Sequence, residues 1–272
     1  MRREILASVV GLSSLLVPGA ASAQFSGDWG AISSSLAVAT DYTFRGVSQT
    51  IGRPALQGAA EYTKEVGPVT PYAGLFASNV MFPDTSSSGK LDAKIELDLM
   101  FGLRGEIEKF KWDVGYIRYY YPNSDLPPAA SQSLDWSEGA VKLSYDLGFL
   151  TALGSYFYSP NYSIASGPGH YWNLGADVPL PFYDIVFGAR LGHLRVKDNA
   201  NLGLPDYTDW ALGINRDFPE IWGINLALTY TDTNIKKNAF LENKSNNSTG
   251  TLNDRVHDTT TPRIILALTK KF

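Results

Sequence analysis

The sequence of 272 residues contains no cysteine, three histidines and three methionines, and only 18% of its residues are charged. The absence of cysteine excludes disulfides and thiolate metal sites. Beyond the N-terminal segment there is no apolar run of about 18 residues, which excludes a transmembrane helix from the mature chain. The formal net charge of −4 gives no indication of a nucleic-acid partner, and none is expected.

The N-terminal segment is typical of an export signal. Two arginines follow the initial methionine, residues 5–17 are largely apolar, and small residues precede a candidate cleavage site after Ala23. We therefore expect residues 1–23 to be a signal peptide and residues 24–272 to form the mature domain. A retained anchor helix is the alternative, but it would need a longer apolar run.

Apolar residues recur at every second position through the remaining chain. Ile95, Leu97 and Leu99, for example, alternate with the acidic residues Glu96 and Asp98. This period is typical of β-strands with one apolar face, and no stretch has convincing helical spacing. Twelve strands are predicted, over residues 34–45, 55–65, 69–80, 91–104, 109–120, 135–146, 149–159, 170–178, 184–196, 207–216, 221–232 and 262–272.

Short and long connections alternate between the predicted strands, and the longest, residues 233–261, precedes the last strand. An up-and-down meander places all connections of one kind at the same end, and this asymmetry is typical of outer-membrane barrels. The predicted fold class is therefore all-β, a transmembrane antiparallel up-and-down β-barrel of about 12 strands with both termini in the periplasm. A soluble β-sandwich has no reason to sort its loops by length.

The two faces of the predicted strands differ strongly, since one is aliphatic and aromatic while the other carries charged and small residues. Because backbone groups in lipid must all be paired, we expect a closed barrel with the apolar face in the outer membrane. Arg118 falls on the apolar face, which predicts either snorkelling at the rim or a β-bulge. Aromatic residues at strand ends predict two girdles, an outer one with Tyr42, Phe44, Trp136, Trp172, Trp210 and Tyr230, and an inner one with Tyr62, Phe110, Trp112, Tyr145 and Trp222.

The stretch TDYTFRGVSQTIGRPALQG, residues 40–58, resembles the TorF family of proteobacterial outer-membrane porins. The matching residues are Asp41, Tyr42, Phe44, Arg45, Gly46, Ser48, Gln49, Thr50, Pro54, Ala55, Gln57 and Gly58. The resemblance is strong through the first half of the mature chain and is mainly one of pattern in the second half. It implies an outer-membrane porin or channel, without specifying a substrate.

Acidic and basic residues on the inward face are nearly balanced in number. This balance favours a hydrated pore with weak selectivity for small solutes or ions, and the alternative is a structural barrel whose lumen is filled by salt bridges. Twelve strands lie between a filled eight-stranded barrel and an open sixteen-stranded porin. The pore-lining candidates are Asp41, Arg45, Glu61, Lys94, Glu96, Asp98, Arg104, Asp113 and Arg190.

An enzyme in the barrel wall is the less favoured alternative. His170, His193 and His257 lie far apart in sequence, and no nucleophile-elbow, zinc-helix or phosphate-loop motif occurs. No cofactor or metal is predicted. The expected partners are outer-membrane lipid, small solutes or ions, and the barrel assembly machinery, for which the terminal Phe272 resembles an assembly signal. The oligomeric state stays open.

Overall fold

The computed structural model describes residues 25–82, 93–122, 124, 133–236 and 259–272. The expected signal peptide and His257 lie outside these ranges. Within them, a 3₁₀ turn at Ser163–Ala165 and a helix α1 at Asn199–Leu202 occupy loops. No helix of the described part has the length and apolar character that a membrane span requires.

The described chain is built almost entirely of β-strands, because its apolar residues have a period of two. In chain order the strands are β1 Phe25–Gly27, β2 Gly30–Ala39, β3 Thr43–Phe44, β4 Val47–Ser48, β5 Ala55–Thr63, β6 Val69–Asn79, β7 Ile95–Ile107, β8 Phe110–Tyr120, β9 Trp136–Asp146, β10 Thr151–Ser159, β11 Gly169–Pro179, β12 Ile185–Val196, β13 Tyr207–Phe218, β14 Ile224–Thr233 and β15 Arg263–Lys271.

Twelve of these strands, β2 and β5 to β15, form one closed antiparallel barrel. From β5 onward each strand pairs with the next in sequence, and β15 pairs back onto β2, whose other neighbour in the barrel is β5, while β1 pairs with the start of β2. The predicted up-and-down barrel is confirmed. The strands also lie within a few residues of their predicted positions, except that the first one ends early.

The seam between β15 and β2 is the shortest in the barrel. It joins residues 267–271 to residues 35–39 through five residue pairs, whereas every other barrel seam has at least seven. The backbone amide of Phe272 donates to the carbonyl oxygen of Ser34 at 2.8 Å, so pairing continues beyond the last strand. The final residue of the sequence is therefore tied into the wall.

The connections sort by length between the two ends of the barrel. The short-turn end carries residues 64–68, 108–109, 147–150, 180–184 and 219–223. The opposite end, which we call the loop end, carries the other connections, whose described residues are 40–54, 80–82, 93–94, 121–122, 124, 133–135, 160–168, 197–206, 234–236 and 259–262. Both β1 and the end of β15 lie at the short-turn end, because β2 starts and β15 finishes there.

Side chains alternate across the barrel wall. Large apolar residues such as Leu99, Leu174 and Leu228 are exposed on the outer face, whereas Asp98 and Arg190 are buried inside. A soluble protein has the reverse arrangement, with charged residues almost never buried unless they are paired. The outer face of this barrel therefore suits an apolar environment, and its interior suits polar groups.

Three predicted rim aromatics are placed differently from the rest. Tyr42, Phe44 and Trp136 lie inside the barrel, so the outer-girdle prediction is wrong for them. Trp136 has the same alternation phase as Glu138, which faces the lumen. Tyr42 and Phe44 do not continue the outward-facing alternation of the first predicted strand, because β2 ends at Ala39.

Arg118 keeps its outward phase without a bulge, because residues 97–107 of β7 pair one for one with residues 110–120 of β8. Its guanidinium lies 3.3 Å from the carboxylate of Asp135 at the loop end, and its side chain is 40% exposed. The snorkelling alternative therefore describes this residue, and the bulge alternative is wrong.

Candidate functional site

The connection between β2 and β5 folds into the barrel. Its residues 40–53, which we call the inner segment, contain the two-stranded hairpin of β3 and β4. The prediction that the first strand runs past Ala39 is therefore wrong. The two turn residues, Arg45 and Gly46, have φ angles of 50° and 77°, as the tightest hairpin turns require. A Cβ atom on Gly46 would lie 2.5 Å from Cγ2 of Thr233, so the turn fits closely against the wall.

Asp41 fixes the conformation of the inner segment. Its Oδ1 accepts hydrogen bonds from the hydroxyls of Ser48 and Thr50, both at 2.7 Å. Its Oδ2 lies 3.0 Å from Nε of Arg263 at the start of β15. The backbone amide of Tyr42 donates to the Thr50 hydroxyl at 3.1 Å. The polar residues of the quoted motif thus hold one another and anchor the segment to the wall.

Arg45 reaches across the lumen to β9. Its Nη2 donates to both carboxylate oxygens of Glu138, each at 2.7 Å, and the two side chains are only 3% and 1% exposed. The hydroxyl of Tyr119 donates to the same carboxylate at 3.1 Å. Because a buried ion gives up its water, such a pair is tolerated only when its partners are complete. Contact between the inner segment and a distant strand shows that the segment fills this part of the lumen.

Aromatic rings surround the guanidinium of Arg45. The distances from its Cζ to the ring centres run from 4.1 to 5.8 Å, and the rings are those of Phe44, Trp136, Phe157, Tyr162 and Tyr171. A ring face within about 6 Å attracts a cation through its quadrupole. The rings other than Phe44, together with the carboxylate of Glu138, form what we call the cation cage.

A second buried carboxylate lies beside the inner segment. Glu96 accepts hydrogen bonds from the hydroxyls of Tyr42 at 2.5 Å and Tyr121 at 2.6 Å. Asp98, two positions further along β7, is 1% exposed, and neither of its oxygens has a hydrogen-bond partner among the described residues. The loop-end half of the lumen thus contains a buried acidic group that no described base compensates.

The lumen towards the short-turn end has a charged and less buried lining. Arg104 forms an ion pair with Glu61, and its Cζ lies 5.0 Å from the ring centre of Tyr72. The hydroxyl of Tyr72 donates to Asp113 at 2.9 Å. Arg104 and Asp113 are only partly buried. This half of the barrel therefore presents both signs of charge to its interior.

Eight of the nine pore-lining candidates lie inside the barrel. Arg190 pairs with Asp177 at 2.8 Å across neighbouring strands. Asp41 and Arg45 reach the lumen from the inner segment rather than from a strand. Lys94 is the exception, since it is exposed at the loop end just before β7. The alternation thus located the interior residues but not the inward fold of the first loop.

The sequence reasoning missed several residues of this site. Glu138 is an even number of positions from the inward-facing Lys142 on the same strand, and Tyr119 is one position after the outward-facing Arg118. Strict alternation therefore predicts that both face the lumen. No local signal identifies Arg263 as the partner of Asp41, because the pair depends on closure of the barrel.

Two of the three histidines share a patch on the outer face, although they are distant in sequence. His170 and His193 flank Trp172, with ring centres 5.8 and 6.1 Å from it. Nδ1 of His170 lies 2.7 Å from the hydroxyl of Tyr156, and Nδ1 of His193 lies 3.0 Å from that of Thr208. Among the described residues, no group of three or more His, Asp or Glu side chains is placed to hold a metal ion.

Burial changes the titration of tyrosines that belong to the loop-end connections. It raises the pKa of Tyr162 to about 12, although the charge of Arg45 acts in the opposite direction. Burial also raises the pKa of Tyr42 and of Tyr121 well above the usual value, and the neighbouring Glu96 adds to both shifts. These phenols stay neutral hydrogen-bond donors at ordinary pH.

Comparison with known proteins finds one matching family model and several solved structures of similar fold. A family model described as "Bacterial protein of unknown function (Gcw_chp)" matches residues 24–262, and no curated protein matches the sequence. The NanC porin is 10% identical, with a TM-score of 0.48 over 88% of this chain and 98% of that one. A Pseudomonas aeruginosa FadL homologue is 11% identical, with a TM-score of 0.47 over 89% and 74%. LpxR from Salmonella typhimurium is 9% identical, with a TM-score of 0.42 over 88% and 99%.

Proposed function

We propose that this chain, which belongs to the Gcw_chp family of bacterial proteins of unknown function, is an outer-membrane channel for passive diffusion of small solutes or ions. The observation that carries the proposal is the inverted distribution of side chains. Leucines such as Leu174 and Leu228 are exposed on the outer face, whereas Arg104, Asp113 and Arg190 face the lumen. A lipid surround and a polar interior are the environments that suit these two faces.

Closure of the sheet supports a membrane location. Twelve strands pair in a ring, so every barrel strand of the described chain is hydrogen-bonded to a neighbouring strand on both sides. An open edge in lipid would leave backbone groups without partners at a cost of several kcal/mol each. The partly buried, mixed-charge lining near the short-turn end supports a hydrated passage.

Export and orientation are part of the same proposal. Residues 1–23 act as a cleaved signal peptide, and the short-turn end, where both β1 and Phe272 lie, faces the periplasm. Phe272 is read by the barrel assembly machinery while its strand is still unpaired. The resemblance of residues 40–58 to TorF porins supports the outer-membrane location that this orientation assumes.

The inner segment makes this a narrow channel. Arg45, Tyr42 and the residues around them are packed into the loop-end half of the lumen, so free passage is restricted there. The same packing favours a second candidate, a barrel that spans the membrane without conducting. An enzymatic role is not proposed, because the two described histidines, His170 and His193, lie on the outer face and not in the lumen.

Recordings from purified protein in a planar bilayer test the proposal. We expect discrete conductance steps, and replacement of Arg104 by Glu should shift the reversal potential under a salt gradient towards cation selectivity. Lys109→Glu, which changes the same charge at an exposed position in a short turn, should leave the reversal potential nearly unchanged. A barrel that inserts but stays silent would favour the non-conducting candidate.

A further inference from the structure

The cation cage is built by the barrel wall and filled by the inner segment. Trp136 and Glu138 belong to β9, Phe157 to β10 and Tyr171 to β11, while Tyr162 lies in the loop between β10 and β11. The guanidinium that they enclose is carried by a two-residue hairpin turn. The site therefore consists of a fixed wall and an occupant on a separate segment.

We propose that this cage is a binding site for an organic cation of the guanidinium type, which Arg45 occupies as a tethered competitor. The inference deepens the proposed channel function and rests on it, since it names the class of solute that the lumen would receive. When the inner segment withdraws, the carboxylate of Glu138 and the rings of Trp136, Phe157 and Tyr171 remain on the wall, and Tyr162 remains in the neighbouring loop.

The charges of the loop-end lumen favour a cationic ligand. Among the described buried and partly buried side chains near the inner segment, the basic groups are Arg45, paired with Glu138, Arg263, paired with Asp41, and Lys142, four residues along β9 from Glu138. The acidic groups exceed them, because Glu96, Asp98 and Asp209 add to the two paired carboxylates. Neither oxygen of Asp98 and only one oxygen of Asp209 has a described partner. A cation that enters this space meets carboxyl oxygens that have no described hydrogen-bond donor, and its charge would favour the ionised form of these groups.

The shape of the cage selects an organic cation over a metal ion. Its walls are ring faces, with a single carboxylate at one side, so a small metal ion would lose its water without gaining enough oxygen ligands. A guanidinium is planar and weakly hydrated, and it can stack on rings while it donates to a carboxylate. The ring of Tyr171, 4.1 Å from Cζ of Arg45, provides such a stacking surface.

Because Arg45 is part of the chain, its guanidinium competes with a free cation for the cage. A group on a flexible linker reaches an effective concentration in the millimolar range, and the anchored hairpin holds Arg45 at the cage at least that strongly, so a free ligand competes with it only when abundant or tightly bound. The hairpin that carries Arg45 has two ladder pairs, Thr43↔Ser48 and Phe44↔Val47. Removing the Arg45 side chain should therefore expose the empty site to a free cation.

Chemical rescue of Arg45→Ala tests this inference. The variant is refolded in detergent, and its thermal midpoint is measured in methylguanidinium chloride and in sodium chloride at equal millimolar concentrations. We expect a saturable increase with methylguanidinium alone, of about 3–6 °C at ten times the dissociation constant. The wild type should show no such increase, because its own guanidinium occupies the cage.

Two controls identify the site. The double variant Arg45→Ala with Glu138→Gln should lose the response, since the carboxylate that orients the cation is gone. Arg190→Ala also removes a buried arginine that is paired with a carboxylate, but one that no described ring encloses, and it should not respond to methylguanidinium. Arg45→Lys retains the positive charge and shows whether the barrel folds when only the guanidinium shape is changed.

Several outcomes would overturn the proposal. One is an equal midpoint for Arg45→Ala in both salts, and another is an undiminished response in the double variant. Failure of Arg45→Ala to fold in either salt, while Arg45→Lys folds, would also overturn it, because a site that accepts the free cation would replace the missing charge. The readout is independent of conductance. A conducting barrel without rescue refutes this inference alone, and a silent barrel with rescue refutes the channel alone.

Discussion

Asp41 and Arg263 form an ion pair with Oδ2 and Nε 3.0 Å apart, although they lie near opposite ends of the described chain. Asp41 belongs to the inner segment and Arg263 begins β15, so the pair connects the contents of the lumen to the shortest seam of the wall. Packing inside the barrel and closure of the barrel are therefore coupled through these two side chains.

Arg263→Ala should weaken the seam and loosen the inner segment together. Removing one partner of a buried pair leaves the other charge uncompensated, and we expect a loss of about 3 kcal/mol in the free energy of unfolding. Hydrogen exchange should rise first in β15 and β2. Arg195→Ala breaks an exposed pair with Asp206 and should have little effect. Equal losses in the two variants would contradict the coupling.

The barrel should lose stability in alkaline solution. Burial raises the pKa of Tyr162 to about 12 from an unfolded value of 10.0, so the folded state holds this proton more tightly. The contribution is fully present below the unfolded pKa and is lost as the pH rises through the folded pKa. We expect the thermal midpoint to fall between about pH 10 and 12. Tyr162→Phe should reduce the fall, whereas Tyr183→Phe, at an exposed turn residue, should not.

Arginine scanning on the outer face should reveal the depth of the membrane. Leu228 lies mid-strand and Ile264 near the loop end, and both side chains are exposed. In lipid, Leu228→Arg should cost about 2–4 kcal/mol, whereas Ile264→Arg should cost about 0–1 kcal/mol. Unfolding in phospholipid vesicles measures both costs. Two small, similar values would argue against a lipid-facing position for Leu228.

Replacing Phe272 by Asp should affect assembly in cells far more than intrinsic stability. The ring is 37% exposed, so it contributes less than the roughly 1.5–3 kcal/mol of a fully buried Phe. Its backbone bond to Ser34 is retained in the variant. Membrane yield should collapse while protein refolded in detergent melts nearly as before. Small effects on both measurements would mean that Phe272 is only a packing residue.

The strands were predictable from the sequence because alternation is a local property. Leu99 and Asp98 are adjacent, and a two-residue period decides their faces wherever the strand sits. The same rule failed at Tyr42 and Phe44, because it assumes that the strand continues. Beyond Ala39 the chain leaves the ladder, and the inward turn at Arg45 depends on contacts that the alternation does not contain.

The site itself could be predicted only in part. Glu96 and Asp98 were found as interior charges, but the pairing of Arg45 with Glu138 joins residues separated by 93 positions. Such a contact exists only after several strands have curved around a common axis. The girdle prediction for Trp136 was wrong because a tryptophan suits a lipid boundary as well as contact with a buried cation, and the sequence does not distinguish the two.

The meeting of β15 with β2 also implies an order of events in time. Until residues 263–271 reach β2, the sheet is a curved ribbon with two bare edges, and its interior is open to water. The inner segment precedes its partners on β9, β10, β11 and β15 in the sequence, so it cannot be enclosed until those strands have taken their places. Arg45 must therefore stay hydrated through most of assembly and give up its water late. Desolvation of the Arg45 guanidinium is then a late step in the folding of the barrel.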